Sequence, residues 1–163
     1  MSVTDHDVIL VDAARVRVGP SVIARRYARN IGPIAPGVTI GRGWVQIQAT
    51  VGGVDMTIAS THLEALGPSA LRTAQAQELV ASMGTSLPAI LLGDFNDEPG
   101  SPAHAVITSA GFVDAWDSRR EKTPGITCCQ LADLSNALLA LTRRIDHVFA
   151  RGVSGTGRDS RER

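Results

Sequence analysis

Several things are missing from this chain of 163 residues, and each absence removes a class of function. There is no excess of charge: sixteen Lys and Arg cancel sixteen Asp and Glu. No global positive field therefore marks a nucleic-acid binder, and a polyanionic substrate would have to be held locally. No apolar stretch approaches the ~20 residues that a membrane-spanning helix needs. The only two cysteines, Cys128 and Cys129, are adjacent. That spacing is sterically poor for a mutual disulfide, gives no secreted disulfide framework and does not match a zinc site. Met1 is followed by Ser2, Thr4, Asp5, His6 and Asp7, with neither a basic n-region nor an apolar h-region, so this chain shows no signal peptide. Internal repeats are absent too. What remains, 44% hydrophobic and 20% charged residues, fits one globular domain with an ordinary core.

Val8 to Val11 and Val16 to Ile23 read as short strands, the second interrupted at Gly19-Pro20. Trp44 to Val51 and Val54 to His62 flank Gly52-Gly53, a two-residue connection suited to a tight hairpin turn. That turn sets a register in which Val51 opposes Val54, Ala49 opposes Met56, Ile47 opposes Ile58 and Val45 opposes Ser60. The face so formed is almost wholly apolar and is taken as the inward one, with His62 at its rim. Ser69 predicts an N-cap for a helix through Leu71 to Met83, closed by Gly84, with Leu71, Leu79 and Met83 on the buried stripe. Ala89 to Phe95 is apolar enough for a central strand. A second helix over Pro102 to Ala110 stops at Gly111, and Arg143 to Ala150 reads as a last strand. The division is a domain over 1–151 and a disordered basic tail over 152–163, which has almost nothing to bury. Strands alternating with helices, plus one antiparallel hairpin, predict an α/β sandwich with a mixed sheet.

The chemistry gathers in Ile90-Leu91-Leu92-Gly93-Asp94-Phe95-Asn96. Side chains at i and i+2 of a strand share a face, so Asp94 and Asn96 point one way and Phe95 the other. The bland alternative is a strand-ending turn in which both polar side chains cap backbone groups. Upstream stands Ser60-Thr61-His62-Leu63, followed by Arg72, Gln75 and Leu79. Downstream stands Arg144-Ile145-Asp146-His147-Val148-Phe149.

In order and approximate spacing these three pieces, with Asp97-Glu98-Pro99 and Ser101-Pro102 behind the second, resemble the endonuclease/exonuclease/phosphatase superfamily of DNase-like, metal-dependent phosphodiesterases. The resemblance implies part of a two-sheet, four-layer α/β sandwich, mixed and mainly antiparallel, with helices on the outer faces. It implies hydrolysis of phosphate esters with Mg²⁺ or Mn²⁺, a hard cation that prefers oxygen ligands. Asp94 would align and activate the attacking water, and with Asn96 would touch the metal. Asn96 would also hydrogen-bond the phosphate or water, and His62 would donate to a phosphate oxygen or the leaving group. Asp146 would orient a partner histidine. The implied substrate is a nucleic acid, a phospholipid headgroup or a small phosphate ester, and no protein partner is implied.

The pattern also departs from the family. Members carry an N-terminal asparagine and a Gln-Glu pair whose glutamate binds Mg²⁺; here Asn30 lies in a loop and the first glutamate is Glu64. They also carry a terminal Ser-Asp-His loop, which has no counterpart here. His147 does not replace it, because neighbours in a strand point to opposite faces and Asp146 takes the site face. The expectation is thus a partial domain with weak metal binding and impaired hydrolysis, its alternatives being a non-catalytic phosphate-binding module or an inactive gene fragment. Localisation stays open, with export only if a missing N-terminal part carried a signal. Thr127, Cys128, Cys129, His104, Trp44 and Trp116 are read as packing residues.

Overall fold

A computed structural model of the chain describes residues 6–120, 123–131, 133, 135 and 141–153. In chain order it contains β1 (Val16–Arg26), β2 (Pro33–Ala35), β3 (Val38–Thr39), β4 (Gly43–Val51), β5 (Val54–His62), α1 (Ser69–Ser82), β6 (Ala89–Asp94), α2 (Pro102–Ser109), β7 (Val113–Asp114) and β8 (Asp146–Arg151). Six strands form one mixed sheet in the order β1-β4-β5-β6-β8-β7, and β2 and β3 make a small separate ribbon. Only β5 and β6 run parallel, and α1 supplies the crossover that parallel neighbours require.

The β4–β5 hairpin has the register that its turn sets: Gly52 and Gly53 sit at φ 58° and 84°, and Val51 pairs with Val54, Ile47 with Ile58 and Val45 with Ser60. β1 pairs antiparallel with β4 through a register shift between Val18 and Val22, so Gly19-Pro20 bends the strand rather than ending it. Val8 to Val11 forms no strand and pairs with no strand among the described residues; Leu10 is 92% exposed. α1 begins one residue earlier than the capping rule suggested. Pro68, extended at φ −73° and ψ 151°, holds the cap position without a side-chain bond, so Ser69 is helical. Gly84 follows the helix at φ 59°. In α2, Ser101 caps the start by accepting from the His104 N–H at 3.2 Å, and Pro102 opens the helix. Cys128 and Cys129 sit side by side, their sulfurs facing the Arg143 guanidinium at 3.7 and 3.3 Å. Thr4, Asp5 and most of the expected tail, 154–163, lie outside the described residues.

The inward face differs from expectation. Both helices pack on the side of Trp44, Ala59, Leu91 and Phe149, where Ala76, Leu79, Met83, Ala103 and Ile107 close one core. Polar residues on this side are tied off: Thr61 bonds the Tyr27 hydroxyl at 2.6 Å and the Gly43 carbonyl at 2.7 Å, and Ser82 donates to the Gln46 side chain at 3.3 Å. That bonding lets Gln46 and Thr61 lie on the helix side, which alternation alone had assigned to solvent. The expected inward face is only part-covered. Ile47, Ala49 and Met56 are buried, but Val22 and Val148 are 64% and 49% exposed.

Candidate functional site

Three strands end in one row on the part-covered face. His62 closes β5, Asp94 closes β6 and Asp146 opens β8; the registers pair His62 with Asp94 and Asp94 with Asp146. Residues 62, 94 and 146 thereby become cross-strand neighbours, His62 Nε2 lying 3.5 Å from Asp94 Oδ2. Gly93 makes this approach feasible: it sits at φ 138°, and a Cβ there would collide with the Thr61 carbonyl oxygen. Asp146 is held from behind, its N–H and that of Ile145 both donating to Thr127 Oγ1 at 3.2 Å. Thr127 therefore positions the strand carrying Asp146 as well as packing.

Asn96 does not continue the row. The strand ends at Asp94, and Asn96 takes φ 47°, so the two-residue alternation stops before reaching it. Its Nδ2 donates to the Leu63 carbonyl at 2.9 Å, while its backbone N–H donates to Asp94 Oδ1 at 2.7 Å. Both side chains cap backbone groups, which fixes the Asp94 carboxylate from one side. Burial pushes the Asp94 carboxyl above the ordinary carboxylate range, and the Asp146 charge adds to it. The Asn96 N–H, His62 and Arg42 oppose the rise without cancelling it.

The sequence reading missed Arg42 and left Glu64 aside. Arg42 is buried, with Nη1 2.8 Å from His62 Nδ1. Glu64, 1% exposed, lies behind it, its Oε1 3.9 Å from Arg42 Nε. A signal for Arg42 was present. The hairpin register, extended to its end, pairs Gly43 with His62 and so sets Arg42 beside the histidine.

A second polar cluster lies on the helix side of the sheet. Asp114 Oδ2 accepts from Arg144 Nη1 at 2.7 Å and faces His147 Nδ1 at 2.9 Å and His104 Nε2 at 3.4 Å. His147 turns its Nε2 to the Asp97 carbonyl at 3.0 Å and packs against Phe95 and Phe149. Burial by itself would raise the Asp114 carboxyl. The hydrogen bonds from His104, His147, Arg144 and the Trp116 N–H overturn that and hold it far below the ordinary range. His104, Asp114 and His147 bring their ligand atoms within 4.8 Å of one another, a metal-like spacing. The donor set nevertheless does not fit a cation, because the Arg144 guanidinium already compensates the carboxylate that a metal would need. His104 and His147 are thus members of a buried ionic cluster, and His147 lies on the face opposite Asp146 as strand alternation requires.

Solved structures share this fold. An endonuclease/exonuclease/phosphatase family protein from Bacteroides thetaiotaomicron superposes with a TM-score of 0.68 at 17% identity, covering 86% of this chain and 53% of that one. TDP2 of D. rerio, complexed with single-strand DNA product, gives 0.57 at 19% identity, covering 85% and 54%. A mannosyl-6-phosphatase of B. thetaiotaomicron gives 0.57 at 18%, covering 86% and 54%. This chain thus spans about half the length of these structures. No curated protein matches the sequence. Residues 4–162 match the Endonuclease/Exonuclease/phosphatase family, and with His62, Asp94 and Asp146 drawn from distant segments into one row of its sheet, the chain belongs to that family.

Proposed function

We propose that the row His62–Asp94–Asp146 belongs to a divalent-metal-dependent site that hydrolyses phosphate ester bonds, and that hydrolysis by these 163 residues is impaired. The family's members act on phosphate esters, which supports the reaction class. The observation that carries the site is the convergence of the three side chains at the ends of adjacent strands. The rim suits a hard cation better than the Asp114 cluster does. It offers carboxylate oxygens from Asp94 and Asp146 on paired strands, with no guanidinium of the described residues in direct contact such as Arg144 makes with Asp114. Asp94 would hold Mg²⁺ or Mn²⁺, which would neutralise phosphate oxygens and lower the pKa of a bound water, while Asn96, its amide bonded to the Leu63 carbonyl, steadies Asp94 through its backbone N–H.

The chain's own residues divide the remaining work. Asp94, fixed by the Asn96 N–H, aligns a water and accepts its proton. His62 presents Nε2 toward a phosphate oxygen, and Asp146 keeps the neighbouring edge negative. Beside Asp146 a cavity of about 630 Å³, lined in part by Leu92, Trp116, Ile126 and Val148, has room for the organic portion of an ester. The D. rerio TDP2 structure holds a DNA product and the Bacteroides relative is a sugar phosphatase, so we assign the substrate only to the class of phosphate esters.

The test is hydrolysis of bis(p-nitrophenyl) phosphate and p-nitrophenyl phosphate by the full chain, with Mg²⁺ and with EDTA. Slow, Mg²⁺-dependent turnover lost in Asp94→Asn is expected, since a general acid/base group contributes about 10²–10⁴-fold. Robust turnover abolished by Asp94→Ala would overturn the impairment. Turnover indifferent to Asp94 would overturn the site. The part-exposed apolar face, with Val22 and Val148 open, motivates the second reading, a non-catalytic phosphate-binding module or an inactive fragment. Phosphate binding without turnover in a cooperatively melting chain supports the module, and the lack of a cooperative melt supports the fragment.

A further inference from the structure

We propose that Arg42 is a positioning residue that fixes His62 as its Nε2–H tautomer and so aims the imidazole proton at the Asp94 side of the rim. The argument starts from the 2.8 Å contact between Arg42 Nη1 and His62 Nδ1. A guanidinium has five N–H donors, no acceptor and no accessible neutral form. A proton on Nδ1 would set two N–H groups head to head at that distance. Nδ1 is therefore the acceptor, and the proton of the neutral ring resides on Nε2.

The rest of the arrangement agrees. Nε2 lies 3.5 Å from Asp94 Oδ2, an acceptor, so the ring is read consistently at both nitrogens. Arg42 is itself held: its backbone N–H donates to Asn30 Oδ1 at 3.1 Å, and buried Glu64 stands 3.9 Å from its Nε. The two charged groups behind His62, Arg42 and Glu64, are 8% and 1% exposed, so the contact is shielded from water. This makes His62 a directed hydrogen-bond donor rather than a ring free to offer either nitrogen. The consequence for a phosphate oxygen rests on the reading of the rim proposed above, whereas the tautomer does not.

The experiment is a long-range ¹H–¹⁵N correlation spectrum of the full chain labelled at histidine, recorded at about pH 8, where an ordinary imidazole is neutral. His62 in the wild type is expected to show a protonated Nε2 and an unprotonated Nδ1. Arg42→Met is expected to release both tautomers, and Arg42→Lys, which restores a donor without an acceptor, to recover the Nε2–H form. A wild-type His62 protonated at Nδ1 overturns the proposal, as does an Arg42→Met spectrum unchanged from wild type. Should Arg42→Met fail to fold, the wild-type spectrum and Arg42→Lys still decide it. Adding inorganic phosphate to the same samples separates the two readings. A His62 Nε2–H signal that does not move overturns the phosphate-facing role, and the tautomer assignment stands or falls by itself.

Discussion

Two aspartates in this chain lie beside histidines with an arginine close by, and their carboxyls move in opposite directions. Asp114 is surrounded on the helix side by donors from Arg144, His147, His104 and the Trp116 backbone, and it is held ionised far below the ordinary range. Asp94 at the rim has one backbone N–H, a histidine at 3.5 Å and a second carboxylate across the strand, and it is pushed up. In the first case Arg144 lies in direct contact with the carboxylate; in the second, Arg42 addresses the histidine instead. Burial alone therefore does not set the direction in which a carboxyl shifts. The number and direction of donors does. A fully compensated cluster stabilises a fold, while an under-compensated carboxylate leaves room for a cation or a proton.

The strongest way to break the comparison is Asp114→Ala. It removes the acceptor shared by Arg144, His147, His104 and the Trp116 N–H and leaves the 6% exposed guanidinium only the exposed Asp117 at 2.8 Å as a carboxylate partner, so we expect a loss of about 3–5 kcal/mol in denaturant unfolding, or failure to fold. Phe149→Ala tests the core beneath that cluster and is expected to cost about 3–5 kcal/mol, because the ring is fully buried. Its neighbour Val148, half-exposed on the other face, should tolerate Thr with a change of less than about 1 kcal/mol. Equal effects at 148 and 149 would show that the open face is covered in solution. Asp94→Asn should leave stability within about 1 kcal/mol of wild type while removing any Mg²⁺-dependent hydrolysis, a separation read by pairing a melt with the phosphatase assay.

The smallest effect is in the pH dependence, and its sign differs between the two sites. The Asp114 carboxyl is depressed in the folded state, so its stabilisation is fully present above the unfolded value of about 4 and is lost as pH falls through and below it. The Asp94 carboxyl is raised, so protonating it favours the fold as pH falls from above its raised value toward the ordinary one. Stability of the wild type minus that of Asp114→Asn should therefore shrink on acidification below about pH 4. Wild type minus Asp94→Asn should instead grow as pH falls toward that point.

Legibility in the sequence followed the distance over which each feature is determined. The β4–β5 register was readable because two glycines fix the turn and every later pair follows from it, as far as Gly43 opposite His62. The helix bounded by Gly84 and the one that stops at Gly111 were readable for the same local reason. The inward face was not. Alternation favoured the side of Ile47 and Met56, whereas hydrogen bonds from Tyr27 and Ser82 allowed Gln46 and Thr61 to lie beneath the helices. Asn96 was misplaced because the i and i+2 rule holds only while the strand continues, and a positive φ ends it.

By itself, then, the sequence determined the hairpin and its register, the two helices, the central strand and the three motifs that carry His62, Asp94 and Asp146. The tertiary structure decided that those residues form one row, that Arg42 stands at Nδ1 of His62 with Asp94 at its Nε2, and that Asp114 meets Arg144 and His147 across some thirty residues. The physical reason is that turn chemistry and capping act between near neighbours in the chain. Which strand lies beside which, and how many donors reach a given carboxylate, depends on pairings between distant segments that no local pattern records.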